Sequence, residues 1–262
     1  MRLSLLITTY ERPDALARVL ETVAWQTEPP NEVLIADDGS GESTRLVVES
    51  FTRQASCPVI HSWQAHEAFR VCRSRNLALA RANGDYIVQV DGDMLLHPEF
   101  IADHRRAARP RSFVQGTRIL LDPAATRDAL VNGPRVLRPL DAGMPGLRRL
   151  YSVHSQRLSR LFAQAANTFI AVKGCNQGYW HADAFHVNGY DEAMTGWGSE
   201  DKEFAARLEH AGVRRRTLLF GAIAWHLHHA PASRERHGTN NAILARTRQQ
   251  RSIRCADGIQ KL

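Results

Sequence analysis

The sequence predicts an α/β fold in which helices cover both faces of a mostly parallel sheet. Through the first hundred residues, short apolar runs alternate with amphipathic segments, a pattern typical of parallel strands joined by crossover helices. Polar clusters follow three of these apolar runs, namely Thr8-Thr9-Tyr10, Asp37-Asp38-Gly39-Ser40 and Asp91-Gly92-Asp93. Because ligands of such sheets bind beyond the carboxyl ends of the strands, the three clusters predict a binding site.

Four strands and three helices are predicted in the first half of the chain. The apolar runs that read as strands are Leu3–Thr8, Val33–Ala36, Val59–Trp63 and Tyr86–Val90. The first helix starts at Pro13, which suits a first helical turn, and one of its faces carries Leu16, Val19, Leu20 and Val23. A second helix covers residues 42–54 with Leu46, Val47 and Phe51 inward, and a third, from Ser74, is closed by Gly84.

The second half is less regular. A strand is predicted over Phe113–Leu121, a helix over Ser152–Ala166, a helix from Glu200 to His210 and a strand over residues 217–229. Repeated prolines in residues 122–150 predict a long mobile connection that could act as a lid. We expect one domain, with a nucleotide-binding half (1–100), an acceptor-binding and catalytic half (101–232) and a basic tail (233–262) whose last dozen residues are loose.

Composition limits the possible partners. The 262 residues carry a formal net charge of +7, almost all of it from arginine, which suits an anionic partner. Aromatic residues are only 7% of the chain and no nucleic-acid-binding motif is present, so we expect no nucleic acid. No apolar run reaches membrane-spanning length. The four cysteines are scattered without a CxxC pair, which favours a reducing compartment, and we expect a cytoplasmic protein.

Asp91 and Asp93 stand where a buried strand ends. Carboxylate oxygens suit Mg²⁺ or Mn²⁺, and Gly92 between them lets the backbone approach a ligand closely. An EF-hand is excluded because Leu95 and Leu96 occupy positions that need a ligand and a glycine. The alternative is that the two carboxylates only cap a turn into the following helix.

Four segments in order resemble glycosyltransferase family 2, the inverting enzymes with the nucleotide-sugar GT-A fold. They are LLITTYERPDAL, VLIADDGS, RSRNLALARANGDYIVQVDGD and GWGSEDKEFAARLEHAG, and they span about residues 3 to 229. The last one also resembles a segment shared by animal galactosyltransferases and bacterial chondroitin-type polymerases. The resemblance implies a GT-A fold, Rossmann-like, with an acceptor-binding C-terminal lobe.

The resemblance also implies roles for individual residues. The uracil and ribose of a UDP-sugar would contact Thr8, Thr9, Tyr10 and Asp38, with Asp37 in support. Other nucleotide contacts would come from Arg70, Arg75, Asn76, Asp91 and Gly92. Mn²⁺ or Mg²⁺ would be bound by Asp93 and by His226 or His228, a choice that the sequence leaves open. Asn176 and Gln177 would hydrogen-bond the hydroxyls of the donor sugar. The alternative, given equal weight, is that both belong to a buried turn.

An inverting transfer needs a base that takes the proton of the acceptor hydroxyl. By resemblance that base is Asp201, with Glu200 holding acceptor hydroxyls and Ser199 as a plausible helix cap. Acidic residues also favour helix starts for electrostatic reasons alone. Gly196 and Gly198 flank Trp197, whose flat face would stack on a sugar ring. The helix dipole is expected to keep Asp201 ionised.

The predicted activity is transfer of a hexose or N-acetylhexosamine, galactose-type favoured, from a UDP-sugar to a glycan or lipid-linked acceptor in polysaccharide or lipopolysaccharide synthesis. An anionic membrane surface, the inner membrane face, is a further expected partner. Two other hypotheses are a sugar-phosphate nucleotidyltransferase, which normally shows a glycine- and arginine-rich loop where this chain has TTYERP, and a basic nucleic-acid-binding protein.

Overall fold

A computed structural model describes residues 1–169, 171–231 and 233–261, with the side chains of residues 163–169 left aside. Its strands are β1 (Leu3–Thr9), β2 (Glu32–Asp37), β3 (Val59–Trp63), β4 (Tyr86–Asp91), β5 (Met94–Leu96), β6 (Ser112–Gln115), β7 (Ile119–Leu120), β8 (Asn176–Trp180), β9 (Arg214–Thr217) and β10 (Ala224–His226). Its helices are α1 (Pro13–Ala24), α2 (Glu42–Gln54), α3 (Val71–Leu79), α4 (Phe100–Ala107), α5 (Pro123–Asn132), α6 (Gln156–Phe169), α7 (His181–His186), α8 (Glu200–His210) and α9 (His237–Gln250). A 3₁₀ helix covers Leu147–Ser152.

The main sheet has the order β3-β2-β1-β4-β8-β6-β9, and only the two pairings of β8 are antiparallel. This confirms the predicted mostly parallel sheet. A second sheet, β5-β10-β7, lies beside it. In the register of the main sheet, Thr8 of β1 pairs with Asp91 and Thr9 pairs with Asp37. The predicted polar clusters therefore meet at one edge.

The core lies on both faces of the main sheet, as expected for a crossover fold. On one face, α1 buries Leu16, Val19, Leu20 and Val23, the four residues that its periodicity predicts. The alternate residues of β1 divide between the faces, with Leu5 and Ile7 packing on the α1 side and Leu6 on the α3 side. The two apolar layers hold the strand ends in a fixed register.

Two predictions in the first half were wrong in detail. Leu46 of α2 is 52% exposed, because the buried stripe of that helix runs through Thr44 and Val48 instead. Helix α3 ends at Leu79, so Gly84 does not close it. A Cβ at Gly84 would lie 2.2 Å from Ser4 Oγ. Close approach to β1 therefore explains that glycine.

The second half needs larger corrections. The strand predicted over Phe113–Leu121 divides into β6 and β7, which belong to different sheets. The first third of residues 122–150 is helix α5, whose start is capped by Asp122 accepting from the Ala125 amide at 2.8 Å. Within residues 217–229, where one strand was predicted, only Thr217 at the end of β9 and the three residues of β10 are strand. Between them lies a turn in which Phe220 and Ala222 adopt positive φ.

The C-terminal segment is also more ordered than predicted. Helix α9 packs on α8, where Thr247 donates a hydrogen bond to Glu203. Most of the last dozen residues, predicted to be loose, are described, and residues 251–261 return to Asn188. The Asn188 side chain donates to the carbonyls of Cys255 and Gln260 and accepts from the Gln260 amide. Ile259 packs against Gly189. A network of polar contacts thus anchors a segment with little hydrophobic pattern.

Candidate functional site

A cleft of about 710 Å³ opens along the carboxyl ends of β1 and β4. Its walls also include the segment before β8, the loop that enters α8 and the residues that follow β10. Most of the predicted site residues lie in it: Thr8, Thr9, Tyr10, Asp38, Arg75, Asp91, Gly92, Asp93, Trp197, Gly198, Glu200, Asp201, His226 and His228. Segments more than a hundred residues apart in sequence therefore share one cavity.

The end of the cleft formed by β1 and β2 is rigid. Asp37 is fully buried and accepts hydrogen bonds from the Ser40 amide at 2.8 Å and from His61 Nε2 at 2.8 Å. Burial alone would raise the pKa of Asp37, but the bonds from His61 and Ser40 hold it below its ordinary value. Asp37 therefore stabilises the end of β2 and does not line the cleft, and its expected support of the nucleotide contact stays a prediction.

Asp38 lies in the cleft wall. Its Oδ1 accepts from Gln64 Nε2 at 2.5 Å and its Oδ2 from the Arg70 amide at 2.8 Å. Beside it, the ring of Tyr10 stacks on His66 with centroids 4.6 Å apart. A Cβ at Gly92 would lie 2.9 Å from the Thr8 carbonyl oxygen, so glycine allows the turn after β4 to pack against β1. These groups offer a flat ring and fixed acceptors to a nucleoside.

A possible metal centre lies further along the cleft. Asp93, His226 and His229 each place one potential ligand atom within 4.8 Å of the others. Asp93 Oδ1 lies 3.5 Å from His226 Nε2, and Asp93 Oδ2 lies 3.3 Å from His229 Nε2. The Asp93 carbonyl accepts from the Leu227 amide at 2.9 Å, which ties the DGD turn to the segment after β10.

These side chains fit a divalent cation. Neighbouring ligand atoms on an octahedral ion with bonds of about 2.1 Å are about 3 Å apart, close to the spacing observed. Asp93 Oδ1 is buried without a hydrogen-bond partner among the described residues, and a cation would satisfy it. A carboxylate with two imidazoles suits Mn²⁺ better than Mg²⁺, which prefers oxygen ligands.

His228 was a wrong choice for this cluster. Strand β10 ends at His226, so the alternation that would place His226 and His228 on one face of a strand does not reach residue 228. After the strand, the chain turns so that His229 faces Asp93, while the His228 amide donates to Thr126 Oγ1 at 2.8 Å. The His228 side chain is exposed at the cleft and lies outside the three-residue group.

Burial governs the charge of this region. It raises the pKa of Asp91 to about 6, against the opposing effect of Arg75. It raises the pKa of Asp93 as well, which His229 and Arg12 oppose. Burial, followed by the charge of Arg118, lowers the pKa of His226 to about 4, so its imidazole is neutral at pH 7 and is in the form that binds a metal.

Arg75 joins the two halves of the site. It is 3% exposed and contacts Asp91 Oδ1 at 3.3 Å, Asp201 Oδ1 at 2.9 Å and Glu200 Oε1 at 3.8 Å. It also donates to Thr8 Oγ1 at 3.2 Å. The prediction that Arg75 contacts the nucleotide needs revision, because three carboxylates already surround its guanidinium. Arg75 positions the acidic groups.

Glu200 and Asp201 form the first turn of α8, as predicted. Asp201 lines the cleft with its side chain 20% exposed, whereas the Glu200 side chain is 9% exposed and accepts from the Gly198 amide at 3.1 Å. Burial, then the repulsion of Asp201, raises the pKa of Glu200 to about 7. The expected cap at Ser199 is absent from this helix start: Ser199 adopts φ 70°, and its hydroxyl bonds Asn241.

Trp197 is exposed at the cleft, as the two flanking glycines predict. Gly196 and Gly198 have φ of 74° and 117°, which side chains rarely adopt. The Trp197 ring stacks on His237, with centroids 5.8 Å apart, and Arg234 lies 5.7 Å from the ring centroid. The indole is thus held in place and remains 41% exposed.

Besides Asp37, four predicted site residues do not line the cleft. Asn76 is buried and binds the backbone of Tyr190 at both its amide and its carbonyl, while the Arg70 side chain bonds Glu67 and the Ala65 carbonyl. Asn176 is fully buried on β8 and donates to the carbonyls of Thr117 and Ala222. Gln177 is buried in the same strand. The Asn176 amide satisfies backbone carbonyls inside the protein, and the buried Gln177 amide donates to Gln115 Oε1 at 3.3 Å. The prediction that Asn176 and Gln177 contact the donor sugar is therefore wrong.

Sequence reasoning missed other residues of the cleft. Arg12 lies 3.5 Å from Asp93 Oδ2, and Arg118 and Lys173 also line the cleft. Arg234 and His237, from the predicted basic tail, also line it. A signal for His229 was its place in the HLHH run, but the other positions depend on turns that no local pattern indicates.

The family matches agree with this geometry. Residues 4–155 match the family described as Glycosyl transferase family 2, and residues 166–230 match the N-terminal domain of galactosyltransferase. The chain belongs to glycosyltransferase family 2. This confirms the resemblance seen in the sequence, including its galactosyltransferase-like C-terminal segment.

Curated relatives are longer than this chain. Validoxylamine A glucosyltransferase of Streptomyces hygroscopicus subsp. limoneus is 30% identical over 80% of this chain and 48% of its own length. Chondroitin synthase of Escherichia coli is 28% identical over 86% of this chain and 34% of its own length. The chain therefore spans half or less of these two relatives.

Solved structures confirm the GT-A fold. S. aureus TarS superposes with a TM-score of 0.62 and 17% identity, covering 96% of this chain and 41% of TarS. Mannosyltransferase PcManGT from Pyrobaculum calidifontis, in complex with GDP-Man and Mn²⁺, gives 0.57 and 16% identity over 86% of this chain and 56% of its own.

Proposed function

We propose that this member of the family is a metal-dependent inverting glycosyltransferase. It transfers a hexose or N-acetylhexosamine, galactose-type favoured, from a UDP-sugar to a hydroxyl of a glycan or lipid-linked acceptor, in the synthesis of cell-surface polysaccharide or lipopolysaccharide. One observation supports this above all: the Asp93-His226-His229 group and Asp201 line the same cleft. A divalent ion and a base are the two elements that an inverting displacement of a nucleoside diphosphate needs.

The donor nucleotide occupies the end of the cleft near Asp38. There Tyr10 and His66 offer stacked rings, and Asp38 offers a fixed carboxylate for ribose or base. UDP is favoured because the structurally similar TarS fragment has been solved with UDP-GlcNAc, at a TM-score of 0.58. PcManGT has been solved with GDP-Man, so guanine nucleotides belong in the test.

Mn²⁺ or Mg²⁺, held by Asp93, His226 and His229, would neutralise the departing diphosphate as a Lewis acid. Asp201 accepts the proton of the acceptor hydroxyl as the new bond forms. Arg75 contacts Asp201 Oδ1 at 2.9 Å and so fixes the orientation of this carboxylate in the cleft. Trp197 offers its ring to the acceptor sugar, while Glu200 lines the same wall and orients acceptor hydroxyls.

Calorimetry with UDP, GDP and a panel of their sugars, with and without Mn²⁺, tests the proposal. UDP should bind at least tenfold more tightly with Mn²⁺, and incubation of the matching UDP-sugar with glycan acceptors should release UDP and yield an inverted linkage. Equal binding of UDP with and without Mn²⁺ in the parent protein would argue against a metal-dependent enzyme.

An anionic membrane surface is the partner that best suits residues 131–162. Exposed apolar side chains concentrate there, including Leu140 (93%), Leu147 (81%) and Leu161 (73%). The 3₁₀ helix and α6 lie side by side, since Tyr151 and Phe162 both contact Phe220. The segment also carries arginines, namely Arg135, Arg138, Arg148, Arg149, Arg157 and Arg160. Exposed leucines beside arginines match an anionic lipid interface.

Among the described residues, every helix is too short or too polar to cross a bilayer, so this contact would be peripheral. Vesicle sedimentation tests it. The protein should pellet with anionic and not with neutral vesicles, and the Leu147→Ser, Leu161→Ser double variant should pellet several-fold less. Leu46→Ser, on α2 and 52% exposed, is the matched control and should behave as the parent. Equal pelleting with neutral vesicles would remove the membrane from the proposal.

A further inference from the structure

Four cationic side chains gather at one wall of the cleft. Arg118, Lys173 and Lys202 line the cleft, and Arg118, Lys173 and Arg148 line a small side pocket next to it. Within residues 1–169, 171–231 and 233–261, none of these four forms an ion pair with a carboxylate. This separates them from Arg12 and Arg75 in the same cleft, which contact Asp93 and Asp201.

Lys173 is held in place by buried groups. Its amide donates to Gln115 Oε1 at 2.9 Å, and its carbonyl accepts from Gln115 Nε2 at 3.1 Å. Gln115 itself is 1% exposed on β6. The next residue, Gly174, is fixed by Gln89, whose Nε2 donates to its carbonyl at 3.1 Å. The backbone of Lys173 is therefore fixed in the wall of the cleft, which sets the position from which its side chain extends.

The like charges act on one another. Burial, followed by the charges of Arg118 and Arg148, lowers the pKa of Lys173, and Lys202 adds to the effect. Arg118 Nε is also buried without a hydrogen-bond partner in the described part of the chain. Several cations without a counter-charge repel one another, and one of them also has an unsatisfied buried donor. A bound anion would relieve the repulsion and accept the hydrogen bond.

The position of these four cations favours contact with the acceptor over contact with the nucleotide. A Cβ at Gly174 would lie 2.0 Å from Asp201 Oδ1, so Lys173 precedes the residue that packs against the proposed base. Lys202 follows Asp201 directly. Arg118 lies close enough to the metal group for its charge to oppose the rise that burial causes in the pKa of Asp93. Arg148 and Lys173, in contrast, extend the wall into the side pocket.

We infer that Lys173, Arg148 and Arg118 form a subsite for a negatively charged group of the acceptor. The group is a carboxylate or a phosphate on the saccharide that receives the new bond, since both accept charge-assisted hydrogen bonds from lysine and arginine. This inference rests on the proposed function, because it assigns the other side of the same cleft to the donor.

A glycan array tests the subsite in the presence of UDP and Mn²⁺. It carries neutral, uronic-acid-bearing and phosphate-bearing oligosaccharides of matched backbones, and the last two arms distinguish a carboxylate from a phosphate. The parent should bind one anionic set. The Lys173→Gln, Arg148→Gln double variant should bind it roughly tenfold to a hundredfold more weakly, as expected for loss of charged hydrogen bonds.

Arg149→Gln removes a neighbouring exposed charge that lines neither pocket and should bind glycans as the parent does. UDP binding, measured separately by calorimetry, should be equal in all three proteins. Preference for neutral glycans, binding of no anionic glycan, or an equal loss in Arg149→Gln would overturn the subsite. Weaker UDP binding in the double variant would show that the cations hold the donor instead. Absence of UDP binding in the parent would instead reject the proposed function.

Discussion

Replacing Asp201 with asparagine separates catalysis from binding and folding. The side chains are nearly equal in shape, so the variant keeps the packing of Gly174 against residue 201. Arg75 loses its 2.9 Å partner but keeps Asp91 at 3.3 Å and Glu200 at 3.8 Å, so its charge remains compensated. The free energy of unfolding should therefore fall by only about 1–2 kcal/mol, near the lower end for a hydrogen bond to a charged group.

The effect on sugar transfer should be much larger. A positioned general base contributes roughly 10²–10⁴ in rate, equivalent to about 3–5 kcal/mol in the activation barrier. We expect kcat to fall by that factor while the Kd for UDP with Mn²⁺ stays within twofold, because Asp201 is placed on the acceptor side. The assay is UDP release under saturating donor, with binding measured by calorimetry on the same preparations.

Glu209→Gln is the matched control, since it removes one negative charge from an exposed position of the same helix. It should transfer sugar at the parent rate. The base assignment is refuted if Asp201→Asn also transfers at the parent rate. A parallel loss of UDP binding and transfer would show that Asp201 serves the donor instead.

Three further predictions concern the metal, the pH response and the fold. Calorimetry should show that His229→Ala abolishes the Mn²⁺-dependent gain in UDP affinity and that His228→Ala keeps it. The opposite result would make His228 the metal ligand. Since burial raises the pKa of Glu200 from 4.5 to about 7, the contribution of its protonated form to stability is full below pH 4.5 and is lost as the pH rises through 7. As the pH rises from 5 to 8, the free energy of unfolding measured in urea should therefore fall less for Glu200→Gln than for the parent. The difference should be up to about 3 kcal/mol, and identical pH profiles would contradict this. Asn176→Ala should lower the free energy of unfolding by about 2–5 kcal/mol, because it leaves two buried carbonyls and His104 without partners; a cost below 1 kcal/mol would contradict the structural role.

The sequence predicted the structure correctly where hydrophobic periodicity defined an element and where the parallel direction of the strands fixed its end. The α1 face, the bounds of α8 and the four strands of the first half follow from hydrophobic spacing, and parallel strands must end at one edge. For that reason the sequence alone predicts that Thr8, Asp38 and Asp91 lie in one site.

Tertiary structure decided everything that depends on where strands stop and on which polar groups are buried. Because β10 ends at His226, the partner of Asp93 is His229 and not His228. Because β8 inserts antiparallel beside β4, the side chains of Asn176 and Gln177 are buried within the sheet and do not line the cleft. Arg75, expected from the sequence to contact the nucleotide, is buried among three carboxylates in the fold. Local spacing fixes which way a side chain points along a regular element, but a turn or a buried hydrogen bond depends on residues far away in the chain.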